Sequence, residues 1–356
     1  MSTIKVTNVQ NPSAASAAIT LDTNGQATLN GLAYPTSGSL SGRSRIINGS
    51  MMIDQRNAGA SVTLGSGTTY TLDRWFYFAN AASKFTAQQN AGSVTPPTGF
   101  KNYLGLTVAA AVSITAGDYY LTAQRIEGFN VADLGWGAAG AQSVTISFWV
   151  RSSLTGTFGA SVQNGASNRS YPFTYSINAA NTWEYKTTTI PGDTSGTWAS
   201  DNSGSLTLWF GLGVGSTLSG TAGSWSGSDF RSATGATSVV GTNGATFYIT
   251  GVQLEAGSVA TPFERRSYGQ ELSLCQRYYE TGNYSIRYGI SNASITAAVY
   301  TPVYYVTKRV TPTIAGTNDQ GTFGTLDITT TMASVGRSTT VANNTNSGTF
   351  TASAEL

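Results

Sequence analysis

Val144-Thr145-Ile146-Ser147-Phe148-Trp149-Val150-Arg151 is the stretch on which the fold turns. Successive side chains of an extended strand point to opposite faces, so Val144, Ile146, Phe148 and Val150 share one side and Thr145, Ser147, Trp149 and Arg151 the other. The first side reads as core. Residues 205–214 repeat the pattern, with Leu206, Leu208, Phe210, Leu212 and Val214 inward and Trp209 outward beside Thr207 and Gly211. Working outward, residues 43–266 alternate such runs with turn clusters at short spacing and end on a last strand at 245–255. That is the signature of an antiparallel sandwich or barrel. Residues 192–204 and 215–244 are long Gly/Ser/Thr-rich loops of the kind that sit at sandwich edges and carry recognition.

The rest of the 356 residues is organised around that block. Residues 1–42 hold little bulky core, and Thr23-Asn24-Gly25-Gln26 between Ala18-Ile19-Thr20-Leu21 and Ala27-Thr28-Leu29 predicts a β-hairpin. A lone hairpin is marginal in water, so this segment is expected to pack on other copies or on a docking protein. Residues 36–42 read as a linker. A helix is expected over 267–281, with Ser267 and Gln270 as a capping box, Tyr268, Leu272, Cys275 and Tyr279 as a buried stripe, and Gly282 as the stop. Strand patterns return in 283–356, the longest over 296–306, with Pro302 marking an edge strand or bulge. No fixed-period repeat is visible, which counts against a regular solenoid or propeller. The expected domains are therefore 1–42, 43–266, the connecting helix 267–282, and a β-rich domain at 283–356.

Composition excludes several function classes. Charged residues make up only 10% of the chain, against 40% hydrophobic residues, 41 glycines and 9 prolines, which suits short strands joined by tight turns. A net charge of +2 scattered along the chain leaves no footprint for nucleic acid or an anionic membrane. No histidine is present, which removes Ser-His-Asp and Cys-His catalysis and His-containing zinc sites. Cys275 is the lone cysteine, and residues 1–10 carry no apolar signal core. The chain is therefore expected to fold in a reducing cytoplasm, soluble and without membrane insertion.

Two stretches carry a resemblance. The first is Arg45-Ile46-Ile47-Asn48-Gly49-Ser50-Met51-Met52-Ile53-Asp54-Gln55-Arg56 with Tyr70-Thr71-Leu72-Asp73-Arg74-Trp75. The second is Gly251-Val252-Gln253-Leu254-Glu255-Ala256-Gly257 through Thr261-Pro262-Phe263-Glu264, followed by Leu274-Cys275-Gln276-Arg277-Tyr278-Tyr279. Together they resemble the opening and close of a domain of bacteriophage tail-fibre and receptor-binding proteins. Gln124-Arg125-Ile126-Glu127 and Ser147-Phe148-Trp149-Val150 fit its interior. Ser2-Thr3-Ile4-Lys5-Val6-Thr7-Asn8 is similar to the leading segment of such fibres. The resemblance implies an all-β protein with a carbohydrate-binding-module-like jelly roll, displayed as a homotrimer on the virion. It further implies attachment to a tail or other virion protein through residues 1–42 and adhesion to host surface polysaccharide.

Sugar rings are bound by flat aromatic faces flanked by short polar side chains. Trp149, Trp209 and Tyr248 are candidates because each falls out of phase with the apolar face of its strand, Trp198 and Trp225 because they lie in loops, and Tyr300 and Tyr304 because they lie in the C-terminal region. Packing on a neighbouring copy or under a loop would use the same aromatics. Trp183 is a further loop candidate, whereas Trp75 and Trp136 read as structural. Asp73-Arg74, Glu255 and Glu264 also read as structural, and no motif singles out a carboxylate pair for glycoside hydrolysis. Neither a catalytic residue nor a cofactor is expected. Asp54 with nearby carbonyls is the one calcium candidate, without an EF-hand-like run of acids, and no metal site is assigned. Residues 284–356, with Tyr284, Tyr288, Tyr300, Tyr304 and Tyr305, are expected to read the host. The readings left open are a glycan-binding adhesin, a passive neck, capsid-decorating or connector fibre that binds only other virion proteins, and a polysaccharide-degrading tailspike.

Overall fold

The computed structural model describes residues 8–9, 19–21, 27–29, 32–33, 42–287, 298–319, 321–337 and 345–356. The chain divides into two units. One comprises Met1–Met52, Gly59–Thr71 and Trp75–Arg265, the other Ile53–Ala58, Leu72–Arg74 and Arg266–Leu356.

In the first unit, β1 (Asn8–Val9), β2 (Ile19–Leu21), β3 (Ala27–Leu29) and β4 (Leu32–Ala33) form a small sheet in chain order. The expected hairpin is β2–β3, with Ile19 opposite Leu29. Its turn, residues 22–26, and residues 36–41 of the expected linker lie outside the described residues. The sandwich follows with β5 (Val62–Thr63), β6 (Gly67–Tyr70), β7 (Phe76–Ala79), β8 (Phe85–Gln89), β9 (Leu104–Val108) and β10 (Tyr119–Glu127). It continues with β11 (Val144–Ser152), β12 (Gly156–Asn164), β13 (Ser170–Ile177), β14 (Glu184–Ile190) and β15 (Gly204–Val214). A short parallel pair, β16 (Ser219–Gly220) and β17 (Ser232–Ala233), precedes β18 (Thr246–Ala256).

Two six-stranded antiparallel sheets result, in the orders β13-β12-β15-β10-β7-β6 and β14-β11-β18-β9-β8-β5, and they make a jelly-roll sandwich. The inward alternation of β11 and β15 brings Phe148 to 5.1 Å from Phe210, and Tyr175 and Phe158 extend the same aromatic core. Fully burying a side chain of this kind contributes roughly 1.5–3 kcal/mol. Gly251, at φ +61°, is a bulge in β18. The extra residue switches side-chain parity, so that Phe247 and Ile249 before it and Val252 and Leu254 after it are all buried. Hydrogen bonds pin the segments around Asn48, Trp75 and Glu255 in place: Trp75 is buried and its indole donates to the Asn48 carbonyl, and Glu255 accepts from the Thr261 amide and hydroxyl. The Glu264 carboxylate accepts from the amides of Gly42 and Ser44.

In the second unit, α1 (Tyr268–Gln276) is capped as the sequence predicts, with Ser267 accepting from the Gln270 amide. The helix is shorter than expected. Tyr279 opens β19 (Tyr279–Arg287), and Gly282 lies inside that strand, where a Cβ would meet the Phe350 ring at 2.6 Å. Tyr268 is exposed, and the buried helical side chains are Glu271 and Cys275. A nine-residue ladder between β19 and β24 (Thr345–Ser353) outweighs the continued helical pattern, because pairing that many residues satisfies more backbone groups than one further helical turn. Strands β20 (Val299–Tyr304), β21 (Thr313–Gly316), β22 (Phe323–Leu326) and β23 (Met332–Arg337) complete two three-stranded sheets, β19-β24-β21 and β20-β23-β22. Pro302 lies on the edge strand β20, which is shorter in its described part than β19 or β24. Tyr284, Val303, Tyr305, Val335 and Phe350 form the core of this unit.

Candidate functional site

The outer face of the first sheet is built from two cross-strand rows. Register places Tyr70, Phe76, Ala123, Trp209, Ser161 and Pro172 side by side, and two residues along each strand Arg125, Thr207, Gln163 and Ser170 make a polar row. Trp209 does point away from the sandwich core, as its phase predicts, but it is only 3% exposed. Its indole donates to Gln163, whose amide in turn donates to Asp229, and the Arg231 guanidinium lies 5.5 Å from the ring. Gly159 and Gly211 let Ser232 lie directly on the sheet, since a Cβ at either would come within 2.7 Å of the Ser232 hydroxyl. Residues 226–232 thus cover this part of the face, and Trp209 offers no ring face to a sugar. Tyr248 is corrected in the same way. It is 5% exposed and packs with Ala91, Tyr103 and Trp183.

Where the polar row reaches the end of the sheet, the face opens. Residues 191–203 run between β14 and β15 as a strap, and two short 3-10 turns, Gly128–Asn130 and Ala132–Leu134, follow β10. The amides of Gly128 and Phe129 donate to the carbonyls of Ser203 and Asp201, tying strap and turn together. Only glycine fits at 128, because a Cβ would sit 2.6 Å from the Ala199 carbonyl oxygen. On one side of the strap lies a cavity of about 220 Å³ between Leu134, Trp136, Trp198 and Ser205. On the other is an open cleft of about 390 Å³ lined by Arg125, Thr197, Ser203 and the small residues Gly165, Ala199 and Gly204. Ala199 borders both.

Three half-buried tryptophans gather at this end. Trp136 meets Trp198 at 4.6 Å and Trp225 at 5.4 Å, and Trp198 meets Trp225 at 5.7 Å, all edge to face. Such pairs contribute about 0.5–1.5 kcal/mol each beyond their buried area. Each indole N–H has an acceptor: the Gln142 carbonyl for Trp136, the Asp193 carboxylate for Trp198 and the Pro191 carbonyl for Trp225. Asp193 also takes both Nε and Nη2 of Arg169, at 2.8 and 2.6 Å. Trp198 and Trp225 are therefore brought together by Trp136, which the sequence marked only as structural. Phe129, on the turn that bonds the strap, is 62% exposed. The sequence marked Arg125 only as part of the Gln124-Arg125-Ile126-Glu127 stretch, and Phe129 not at all, although Gly128-Phe129-Asn130 puts an aromatic in a turn directly after a strand.

Trp149 lies apart from this cluster, on the outer face of the second sheet. It is half-buried, directly opposite Tyr185 at 5.4 Å between rings, and Tyr185 is exposed. Trp183 packs against Tyr103 and donates to the Thr95 carbonyl. In the second unit Tyr304 is 75% exposed and Tyr300 half-buried, alternating on β20 with the core residue Val303. Tyr284 and Tyr305 are core residues, and burial, with Glu280 nearby, pushes the Tyr305 hydroxyl up to about 12. Tyr288 lies outside the described residues. The Asp54 carboxylate accepts from the Asn57 amide, and among the described residues no group of three or more acidic or cysteine side chains could hold a metal ion. No helix among the described residues is long and apolar enough to cross a membrane.

No protein-family model matches this sequence, and no curated protein matches it. Solved structures do. The enzymatically active domain of tailspike protein 4 of bacteriophage CBA120 is 14% identical over 60% of this chain, which spans 21% of that structure, at a TM-score of 0.31. A family 4 carbohydrate-binding module is 14% identical, with 59% of this chain and 97% of that one covered, at 0.30. A family 11 carbohydrate-binding module from Clostridium thermocellum, in complex with a mixed-linked tetrasaccharide, is 13% identical, with 57% and 98% covered, at 0.27.

Proposed function

We propose that this chain is a structural protein of a phage tail fibre that holds host-surface glycan without cleaving it, and that the cleft beside the residue 191–203 strap is a glycan site. The observation that carries the reading is the chemistry of that cleft. An opening within the size range of small-ligand sites, lined by hydroxyls, small residues and one guanidinium, shares Ala199 with a neighbouring cavity that Trp136 and Trp198 border, and the exposed Phe129 lies on the turn bonded to the strap. Aromatic area gives apolar contact to sugar faces, and Thr197 and Ser203 offer hydroxyls for hydrogen bonds. The sequence resemblance supplies the setting: a virion location, a homotrimer, and attachment to another virion protein through residues 1–42.

Incubation with host cells, then with purified host polysaccharide followed by a reducing-end assay, tests the reading. Binding without new reducing ends is expected. Release of reducing ends would make the chain a polysaccharide-degrading tailspike. Failure to bind either would leave a connector that meets only virion proteins. Light scattering of the full chain at micromolar concentration is expected to give a trimer mass, and a monomer mass would remove the homotrimer.

A further inference from the structure

We infer that the cavity between the strap and the turns after β10 is a subsite for an acetyl group carried by a saccharide. This rests on the reading of the strap region as a glycan site and adds the chemical class of the substituent it selects. Ser205 lines the cavity and is fully buried, and its hydroxyl has no hydrogen-bond partner among the described residues. Register explains how it comes to be there. Along β10 and β15, Ile126 faces Leu206 and the next residue, Glu127, faces Gly204, so Ser205 is an extra residue with none opposite it on β10. Such a bulge re-aims a side chain at the end of a sheet. A buried hydroxyl left unsatisfied costs free energy, and an acceptor brought by a ligand removes that cost.

The rest of the lining selects the other half of the ligand group. Val131 and Leu134 are buried apolar walls, Trp136 and Trp198 are half-buried with ring centroids 4.6 Å apart, and Ala132 and Ser200 are exposed, which puts them at the mouth. The indole N–H groups of both tryptophans are taken, by the Gln142 carbonyl and the Asp193 carboxylate, so these walls offer ring carbon rather than donors. The inner end thus combines one hydroxyl donor with apolar and aromatic surface. An acetyl group has the matching parts, a carbonyl oxygen to accept from Ser205 and a methyl for the walls. A charged group would lose its hydration against a lining that, among the described residues, holds no charge, and a bare ring hydroxyl would leave the apolar walls uncovered. At about 220 Å³ the cavity exceeds the roughly 150 Å³ in which an apolar site holds benzene, so an acetyl group with the adjoining edge of its sugar fits. Cavity and cleft share Ala199, which sets this subsite beside the proposed binding cleft.

The test is an array of bacterial surface polysaccharides probed with the full chain, on which each acetylated member also stands treated with mild alkali, which removes O-acetyl esters, treated with hydrazine, which removes N-acetyl groups as well, and re-N-acetylated. The binders are expected to carry acetyl groups and to weaken roughly 10- to 50-fold without them, as loss of a buried methyl and a hydrogen bond does. Loss on alkali treatment identifies an ester, whereas loss on hydrazine treatment alone, recovered by re-N-acetylation, identifies an acetamido sugar. Ser205→Ala should weaken binding of the acetylated form about fivefold with the melting temperature unchanged or raised, because the hydroxyl it removes has no partner to lose. A clear fall in melting temperature would show that hydroxyl to be partnered within the fold and would overturn its role. Ala132→Phe, which closes the mouth, should bring the acetylated form down to the affinity of the deacetylated one. Equal binding of acetylated and deacetylated forms, or an acetyl preference that survives both substitutions, would overturn the subsite and leave the glycan reading standing. Binding to no glycan on the array would overturn both.

Discussion

The guanidinium of Arg74 lies 3.5 Å above the ring centroid of Tyr278, although the two are far apart in sequence. Arg56 lies 3.6 Å above the ring of the next residue, Tyr279, and the two arginines meet the two carboxylate oxygens of Glu355. Gln55 completes the set, donating to Asp73 and to the Tyr279 carbonyl. Every one of these residues belongs to the second unit. The pairs Gln55-Arg56, Asp73-Arg74 and Tyr278-Tyr279 thus meet in one arrangement, in which Asp73, Arg74 and Tyr278 are buried.

Arg74 is 1% exposed and the Glu355 side chain 7%, so truncation leaves a buried carboxylate with one cation where it had two. Removing one partner of a buried ion pair costs on the order of 3–5 kcal/mol. Arg74→Ala is expected to destabilise the second unit by about 3 kcal/mol, and Arg74→Lys by less, since the charge stays and the stacked fork is lost. Labelling of the lone thiol, Cys275, reports on the same unit and should accelerate in Arg74→Ala. A labelling rate equal to that of the parent protein would show the pair to be dispensable.

Burial, with Asp73 and Glu271 adding to it, pushes the Cys275 thiol well above its ordinary value of 9.0. A folded-state value above the unfolded one means that the native state holds its proton more tightly. The associated stability is complete below pH 9.0 and declines as pH rises toward the folded value. Unfolding midpoints measured from pH 8 upward should fall less steeply in Cys275→Ala than in the parent chain. At pH 8 the native thiol is expected to resist a disulfide reagent until denaturant is added. Rapid native labelling would refute the burial argument.

Phe129 has no packing role that its exposure would support, so Phe129→Ala should change stability by less than about 0.5 kcal/mol. Glycan affinity should fall roughly tenfold, the equivalent of one lost aromatic contact. Titration of whichever glycan the parent chain retains reads this out. Unaltered affinity would remove Phe129 from the site and return attention to the Trp149–Tyr185 pair.

Asp201 is fully exposed, and the hydroxyl and amide of Ser203 hold its carboxyl below the ordinary 3.8. A depressed folded value means that this anchoring is present above pH 3.8 and is lost as pH falls through the folded value. In an NMR titration the Asp201 carboxyl should therefore have its midpoint below 3.8, moving upward in Ser203→Ala. An unshifted midpoint in that variant would show that the strap is held by its backbone bonds alone.

The sequence by itself determined the β-sandwich, the inward sets of β11 and of β15 as far as Leu212, the Ser267 cap and the β2–β3 pairing, because each follows from the side-chain period or turn chemistry of a few consecutive residues, whereas Val214, expected inward, packs beyond a register shift with the outward Phe76, Leu121 and Trp209. It also placed Trp209 and Tyr248 on the side of their strands away from the core. What it could not supply was what lies over those sides. Coverage of Trp209 by residues 226–232 depends on Gly159 and Gly211 leaving room for Ser232, a contact between segments far apart in the chain. The cleft is a product of the same level. Arg125, Phe129, Trp136, Trp198 and Trp225 come from separate strands and loops, and only closure of the sheet and docking of the strap on Gly128 bring them to one end. The end of α1 was likewise decided by a ladder with a strand at the far C-terminus. Local periodicity fixes which way a side chain points, while its exposure and its neighbours are set by long-range packing that no window of sequence contains.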